Sequence, residues 1–290
     1  MSKNLIDEVV AASPNRRSFL KTLGVATAGV TALTLNGVLP AKAATATEIE
    51  VLQFALNLEY LEADFYSYAT SGKYIESFGI GISGMANGSN SPSGSPSTGG
   101  AVVNFTDTIQ YDIASQIASD ERAHVILIRD GLGGDAIARP AININALGLS
   151  TSGIFNFLRQ ARIFEDIGVT AYAGGAGLLS TPSVITSAAR ILATESAHVA
   201  AIRSQIAYAV GGGVTTTALD GADLIPPPSG PTSQVLSTYV KNGLVATRTP
   251  GQVLYLAFGG AGLTSGGFFP NGVNGPITTS TSAATSANLN

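Results

Sequence analysis

The sequence predicts an all-α fold: a four-helix bundle with a long crossover between its second and third helices and a C-terminal extension. Three observations carry this. Four long segments place apolar side chains three and four residues apart. The breaks between them are rich in Gly and Pro, and the break after the second segment is too long for a tight hairpin. The stretch Asp120-Glu121-Arg122-Ala123-His124-Val125-Ile126-Leu127-Ile128-Arg129 also returns 74 residues later as Thr194 to Arg203, with Glu, Ala, His, Val, Ile and Arg at matching offsets. The two copies contain both histidines of the chain.

With 290 residues, 45% of them hydrophobic and 12% charged, the chain can bury a large core. It has no cysteine, so any metal must be held by carboxylate and imidazole, which points to iron, manganese or zinc.

Residues 1–43 read as a twin-arginine (Tat) signal peptide. Arg16-Arg17 precedes a weakly apolar run from Leu23 to Leu39, and Ala41-Lys42-Ala43 fits a small-x-small cleavage site, so the mature chain is expected to begin at Ala44 in a periplasmic or other extracytoplasmic space. The competing reading of this run is a retained membrane anchor; nothing later in the chain could span a bilayer. Loss of the leader removes five basic and two acidic residues from a chain of net charge −4. An acidic mature protein without a basic patch excludes a nucleic-acid partner.

The bundle is expected over 44–211. Thr47-Glu48-Ile49-Glu50 has capping-box spacing and opens the first helix, which runs to about 69. Leu52, Leu56, Glu59, Ala63 and Tyr66 form its inner stripe, with Glu62 as the alternative carboxylate to Glu59. Residues 72–100 turn to Gly, Ser and Pro and read as a long flexible connection, either a lid or a surface insertion. The second helix is expected over 104–130, capped by Asn104 or Thr106, with Ile113, Ile117, Glu121, His124 and Ile128 inward. The third, over 152–173, carries Leu158, Ala161, Glu165, Val169 and Tyr172 on one face. Thr181-Pro182 starts the fourth, which ends at Gly211-Gly212-Gly213 and turns Ile191, Glu195, His198 and Ile202 inward. Residues 212–290 read as an extension packed on the bundle. It contains short elements near 233–241 and 252–258, an ordered loop at Phe268-Phe269, and a disordered tail from about Thr278.

Residues three apart on a helix point the same way, so Glu121 with His124 and Glu195 with His198 each form a two-ligand clamp on an apolar stripe. Buried without a partner, such groups would cost several kcal/mol, and two metal ions, iron or manganese, would compensate them. The other two helices each carry Glu-x6-Tyr: Glu59 with Tyr66, and Glu165 with Tyr172. Four carboxylates and two imidazoles would then meet in the bundle centre, the di-metal arrangement described for designed and natural bundles of this kind. Glu121 and Glu195 are expected to bridge, Glu59 and Glu165 to bind one ion each, and His124 and His198 to complete the pair. Tyr66 and Tyr172 are expected either to hydrogen-bond the terminal carboxylates or to serve as plain core residues.

Ala55-Leu56-Asn57-Leu58-Glu59-Tyr60-Leu61-Glu62-Ala63-Asp64-Phe65-Tyr66, the two Glu-x-x-His segments and Gly266-Gly267-Phe268-Phe269-Pro270-Asn271-Gly272 together resemble the ferritin-like domain proteins, in particular the exported, desiccation-related branch. The resemblance spans about 48–275. It implies a four-helix bundle, while the insertion after the first helix departs from the short ferritin hairpin and argues against a storage cage. The activity expected is that of a di-metal oxidoreductase of ferroxidase, peroxidase or catalase-like type acting on O₂ or peroxide, as a monomer or a homo-oligomer. The alternative is a non-enzymatic stress-related envelope protein that binds metal or serves as a scaffold.

Overall fold

The apolar stripes become helices in the computed structural model of the protein, which describes residues 46–209, 240–241, 244–281 and 283. The long helices are α1 (Ala46–Ser71), α2 (Thr108–Leu132), α3 (Ile154–Gly175) and α4 (Pro182–Ala209), and a fifth, α5 (Pro250–Phe258), follows in the extension. Helices α1 and α2 pack together as one pair and α3 and α4 as the other. Their shared core includes Leu56, Phe65, Ile117, Phe157, Ile191 and Ile206. The expected leader, residues 211–213 and the expected element at 233–239 lie outside the described residues. Among the described residues no helix is long and apolar enough to cross a membrane.

The helix starts differ from expectation. Helix α1 begins at Ala46, so Thr47 lies inside its first turn. The buried Glu48 turns instead toward the start of α4, where it accepts hydrogen bonds from the Ser180 amide (2.6 Å), the Thr181 amide (2.5 Å) and the Thr181 hydroxyl (2.9 Å). A carboxylate there complements the positive end of α4 and ties the two helix pairs together. Pro182 is the first residue of α4, as its fixed φ favours. The cap of α2 is Asp107, not Asn104 or Thr106; its carboxylate accepts from the amides of Ile109 and Gln110.

Residues 72–100 are not a flexible connection. They contain a 3₁₀ turn (Ile75–Phe78) and a short strand β1 (Ser97–Thr98), which pairs in parallel with β2 (Ile142–Asn143) of the crossover. Polar side chains hold the segment where apolar ones are scarce. The buried Arg139 reaches Glu76 at 2.6 Å, Asp64 of α1 at 3.1 Å and the Ser95 carbonyl at 3.0 Å, and the Ser97 hydroxyl donates to Asp64. A second hub is Asn274. It exchanges amide hydrogen bonds of 2.9 Å with Asn57 of α1, donates to the Ala138 carbonyl at 2.8 Å, and accepts from the Asn87 amide at 2.7 Å. The first helix, the insertion, the crossover and the extension therefore meet at one residue.

The extension packs on α3. The Arg248 amide donates to the Thr170 carbonyl at 2.9 Å, and the backbone comes so close that a Cβ on Gly174 would lie 2.0 Å from the Arg248 carbonyl oxygen. Short strands β3 (Val240–Lys241) and β4 (Leu244–Val245) pair antiparallel, and α5 opens with a reciprocal Thr249/Gln252 capping box followed by Pro250. Phe268 and Phe269 are buried. The tail is held as far as Thr281, because the Ser280 amide donates to Leu263 and the Thr281 amide to Gly251, both at 2.9 Å; the rest of the expected disordered tail, at 282 and 284–290, lies outside the described residues.

Candidate metal centre

Each of the four bundle helices delivers one glutamate to the centre, and α2 and α4 add a histidine one turn on. Glu59, Glu121, Glu165 and Glu195 are at most 1% exposed, and His124 and His198 are 7% and 5% exposed. The groups form two overlapping sets: Glu59, Glu121, His124 and Glu195, and Glu121, Glu165, Glu195 and His198. Within each set the donor atoms lie within 4.8 Å of one another. His124 Nδ1 is 3.1 Å from Glu195, 3.3 Å from Glu59 and 3.4 Å from Glu121. His198 Nδ1 is 3.0 Å from Glu121 and 3.3 Å from Glu165.

The donor set fits a pair of cations on two counts. Two ligand atoms about 2.1 Å from one ion and at right angles to each other stand about 3 Å apart, which is the spacing seen. Moreover, Glu59 Oε2, both oxygens of Glu121, Glu165 and Glu195, and Nδ1 of both histidines make no hydrogen bond. Orphaned polar atoms at this density are untenable in a core unless a cation or protons compensate them. Glu121 and Glu195 belong to both sets. Glu62 belongs to neither, though it is buried beside the cluster.

Without cations, protons carry the compensating charge. Burial pushes Glu59 up to about 7 against the pull of His124. Burial and the Glu121 carboxylate hold Glu195 well above the usual range, and burial with the Glu195 charge does the same to Glu62. Burial alone would lower both imidazoles. The carboxylates of Glu59 and Glu121 nevertheless hold His124 well above its ordinary value, and Glu165 leads the groups that raise His198. Burial would raise Glu121, but both histidines pull it below the usual range.

A pH dependence follows. Glu59 titrates near 4.5 unperturbed and near 7 in the fold, so the folded metal-free chain binds more protons than the unfolded one between these values. Its stability should fall as pH rises through that window. A divalent ion competes with the same protons, so its stabilisation should grow over the same range. Thermal melts with and without Mn²⁺ at pH 5 and pH 7.5 check this: the gap between the two curves should widen with pH, and a narrowing gap would contradict the assignment.

Both tyrosines lie beside the terminal carboxylates, but only one bonds. Tyr172 donates its hydroxyl hydrogen to Glu59 Oε1. Tyr66 is fully buried near Glu165, and burial with that charge raises its phenol well above its usual value, yet its hydroxyl closes no hydrogen bond.

Sequence reasoning missed Asp120. The His198 ring turns Nδ1 to the carboxylates and Nε2 to Asp120 Oδ2, 3.5 Å away, and Gln116 donates to the same side chain at 2.8 Å. Such an outer carboxylate fixes the tautomer and strengthens the imidazole as a ligand. The aligned residue in the second copy is Thr194, whose hydroxyl bonds its own helix at Arg190, so the repeat is not symmetric here. The signal was present in that Asp/Thr mismatch. Asp120→Asn should weaken retention of the ion beside His198 about 10–100-fold while leaving the other nearly unchanged, read by competition with a chelator.

Comparison with known proteins agrees with this geometry. The Ferritin-like domain family matches residues 47–208. Desiccation-related protein PCC13-62 of Craterostigma plantagineum is 28% identical over 175 residues, covering 54% of this chain and 52% of that protein, so the chain spans about half the length of this relative. Ferritin-like catalase Nec2 of Nesocodon mauritianus is 24% identical over 280 residues, covering 79% of this chain and 84% of that protein. The helices carrying the six clustered side chains all lie within the matched segment, apart from single residues at two ends, and the chain belongs to the ferritin-like domain family.

Proposed function

We propose that the protein binds two iron or manganese ions between its four helices and uses them to consume O₂ or peroxide. The observation that carries this is the pair of overlapping buried donor sets joined through Glu121 and Glu195. A relative named as a ferritin-like catalase favours the peroxide branch. Bound there, the metal pair would supply two-electron redox chemistry shared between neighbouring ions.

The chain's own residues set the conditions. Glu59, Glu165, His124 and His198 would hold the ions individually, and Glu121 and Glu195 would hold them at a fixed separation. Tyr172 orients Glu59 by its hydrogen bond, and Asp120 holds the proton on His198 Nε2 so that Nδ1 stays free to bind. The buried shell excludes bulk water. We also propose that the mature chain, from Ala44, works outside the cytoplasm, a reading that rests on the twin-arginine pair and the cleavage site.

A second reading is favoured by the desiccation-related relative: a stress protein of the cell envelope that binds metal without turnover. Elemental analysis of the mature chain, followed by peroxide and ferrous-iron assays, separates the two. About two ions per chain, with turnover lost in His198→Ala, supports the enzyme. Bound metal with no turnover supports the second reading, and no metal after anaerobic reconstitution with iron and with manganese sinks both metal readings.

A further inference from the structure

The two halves of the bundle differ at a second position next to the centre, besides Asp120 and Thr194. Three residues after Glu59 stands Glu62, whereas three residues after Glu165 stands Gly168. A glycine in the middle of a long helix is unfavourable relative to alanine. Here it makes room, because a Cβ at 168 would lie 3.1 Å from Glu195 Oε2 and 3.3 Å from Glu62 Oε1.

Outside this gap is a pocket of about 20 Å³ between α1, α3 and the extension. Glu62 and Gly168 form part of its wall, together with Leu61, Phe164, Val253, Ala257 and Phe268. No polar atom exposes surface to it. Helix α5 and the Phe268 loop supply part of this wall, so the pocket exists only because the extension lies across the α1/α3 face. A pocket of this size holds one small molecule, and its exposed apolar surface offers a water no hydrogen-bond partner. Ions and hydrogen-bonding solutes would lose their hydration on entering it, whereas a neutral apolar diatomic loses almost nothing.

We propose that this pocket is a dioxygen site: the vestibule through which O₂, as oxidant or as product, exchanges with the carboxylate cluster past Glu62 and Gly168. The role in exchange rests on the redox reading above; occupation of the pocket by an apolar gas does not.

The test has two arms. Crystals of the metal-free protein under xenon pressure should show one xenon atom between Gly168 and Ala257. It should vanish in Ala257→Leu, whose longer side chain fills the space, with the carboxylate cluster unmoved. An absent xenon atom in the wild type, or ordered water in the pocket, overturns the proposal even if the centre binds metal. In metal-loaded protein, Ala257→Leu should slow oxidation by O₂, or O₂ release from peroxide, at least tenfold, with metal content unchanged. Unchanged rates for both overturn the exchange role. A wild type that binds no metal defeats the redox reading instead, and the xenon result alone then decides the pocket.

Discussion

Replacing Glu121 and Glu195 together by glutamine is expected to abolish the proposed metal binding. Each residue serves both donor sets, so no four-ligand group survives the change. Loss of a single outer-sphere partner commonly costs 10–100-fold in affinity, and loss of two shared ligands should exceed about 100-fold at both positions. The thermal behaviour discriminates further. Metal at about a thousand times its Kd should stabilise the wild type by about 4 kcal/mol per independent site. The double variant should gain nothing. A variant that retains about two ions per chain would show that the cluster is not the metal site.

Arg139→Met should be the most damaging single change away from the centre. Arg139 is 2% exposed and is the cation that faces the fully buried Asp64. Burial already pushes Asp64 up despite that guanidinium, so removing it leaves a carboxyl with only Ser97 and the Ile75 amide as partners. Breaking a buried pair from one side costs about 3–5 kcal/mol. In a domain of this size that corresponds to a melting temperature lower by roughly 6–20 °C. The variant also releases Ser95 and Glu76, so the 72–100 segment should become a preferred site of proteolysis. Asp64→Leu combined with Arg139→Met should recover at least half of the loss, since it removes the stranded carboxyl. If the double variant is no more stable than Arg139→Met alone, the damage lies in the loop contacts and not in the buried charge.

The clustering of the carboxylates and imidazoles was legible in the sequence because their spacing follows helical arithmetic. Glu-x-x-His and Glu-x6-Tyr place their members on one face whatever the rest of the chain does, and duplication repeats the signal. Glu59 could be chosen over Glu62 by its spacing to Tyr66, and the structure groups Glu59, and not Glu62, with His124. Features that depend on distant partners were not legible. Asn104, Thr106 and Asp107 are all acceptable caps within four residues, and only the path of the incoming chain selects Asp107. The Gly/Ser/Pro composition of 72–100 correctly indicates few apolar anchors. It is silent about Asn90, Ser95 and Ser97, whose polar partners lie in the crossover, in α1 and in the extension. Asp120 escaped notice because its partner is on another helix, 78 residues away.

The Asn57–Asn274 exchange joins residues 217 positions apart. Helices α1 and α2 can pair as soon as both have been made, but this clasp cannot close until Asn274 has been synthesised. Contacts of such separation form late, after the entropy of the intervening loop has been lost. A nascent or C-terminally truncated chain would therefore hold a nearly complete bundle whose insertion, crossover and first helix are joined through Arg139 but not yet fastened to the extension. Closure of the clasp is in this sense a report that the chain reaches Asn274, and a protein cut before it should be recognisable by its protease sensitivity, even with all six carboxylate and imidazole side chains in place.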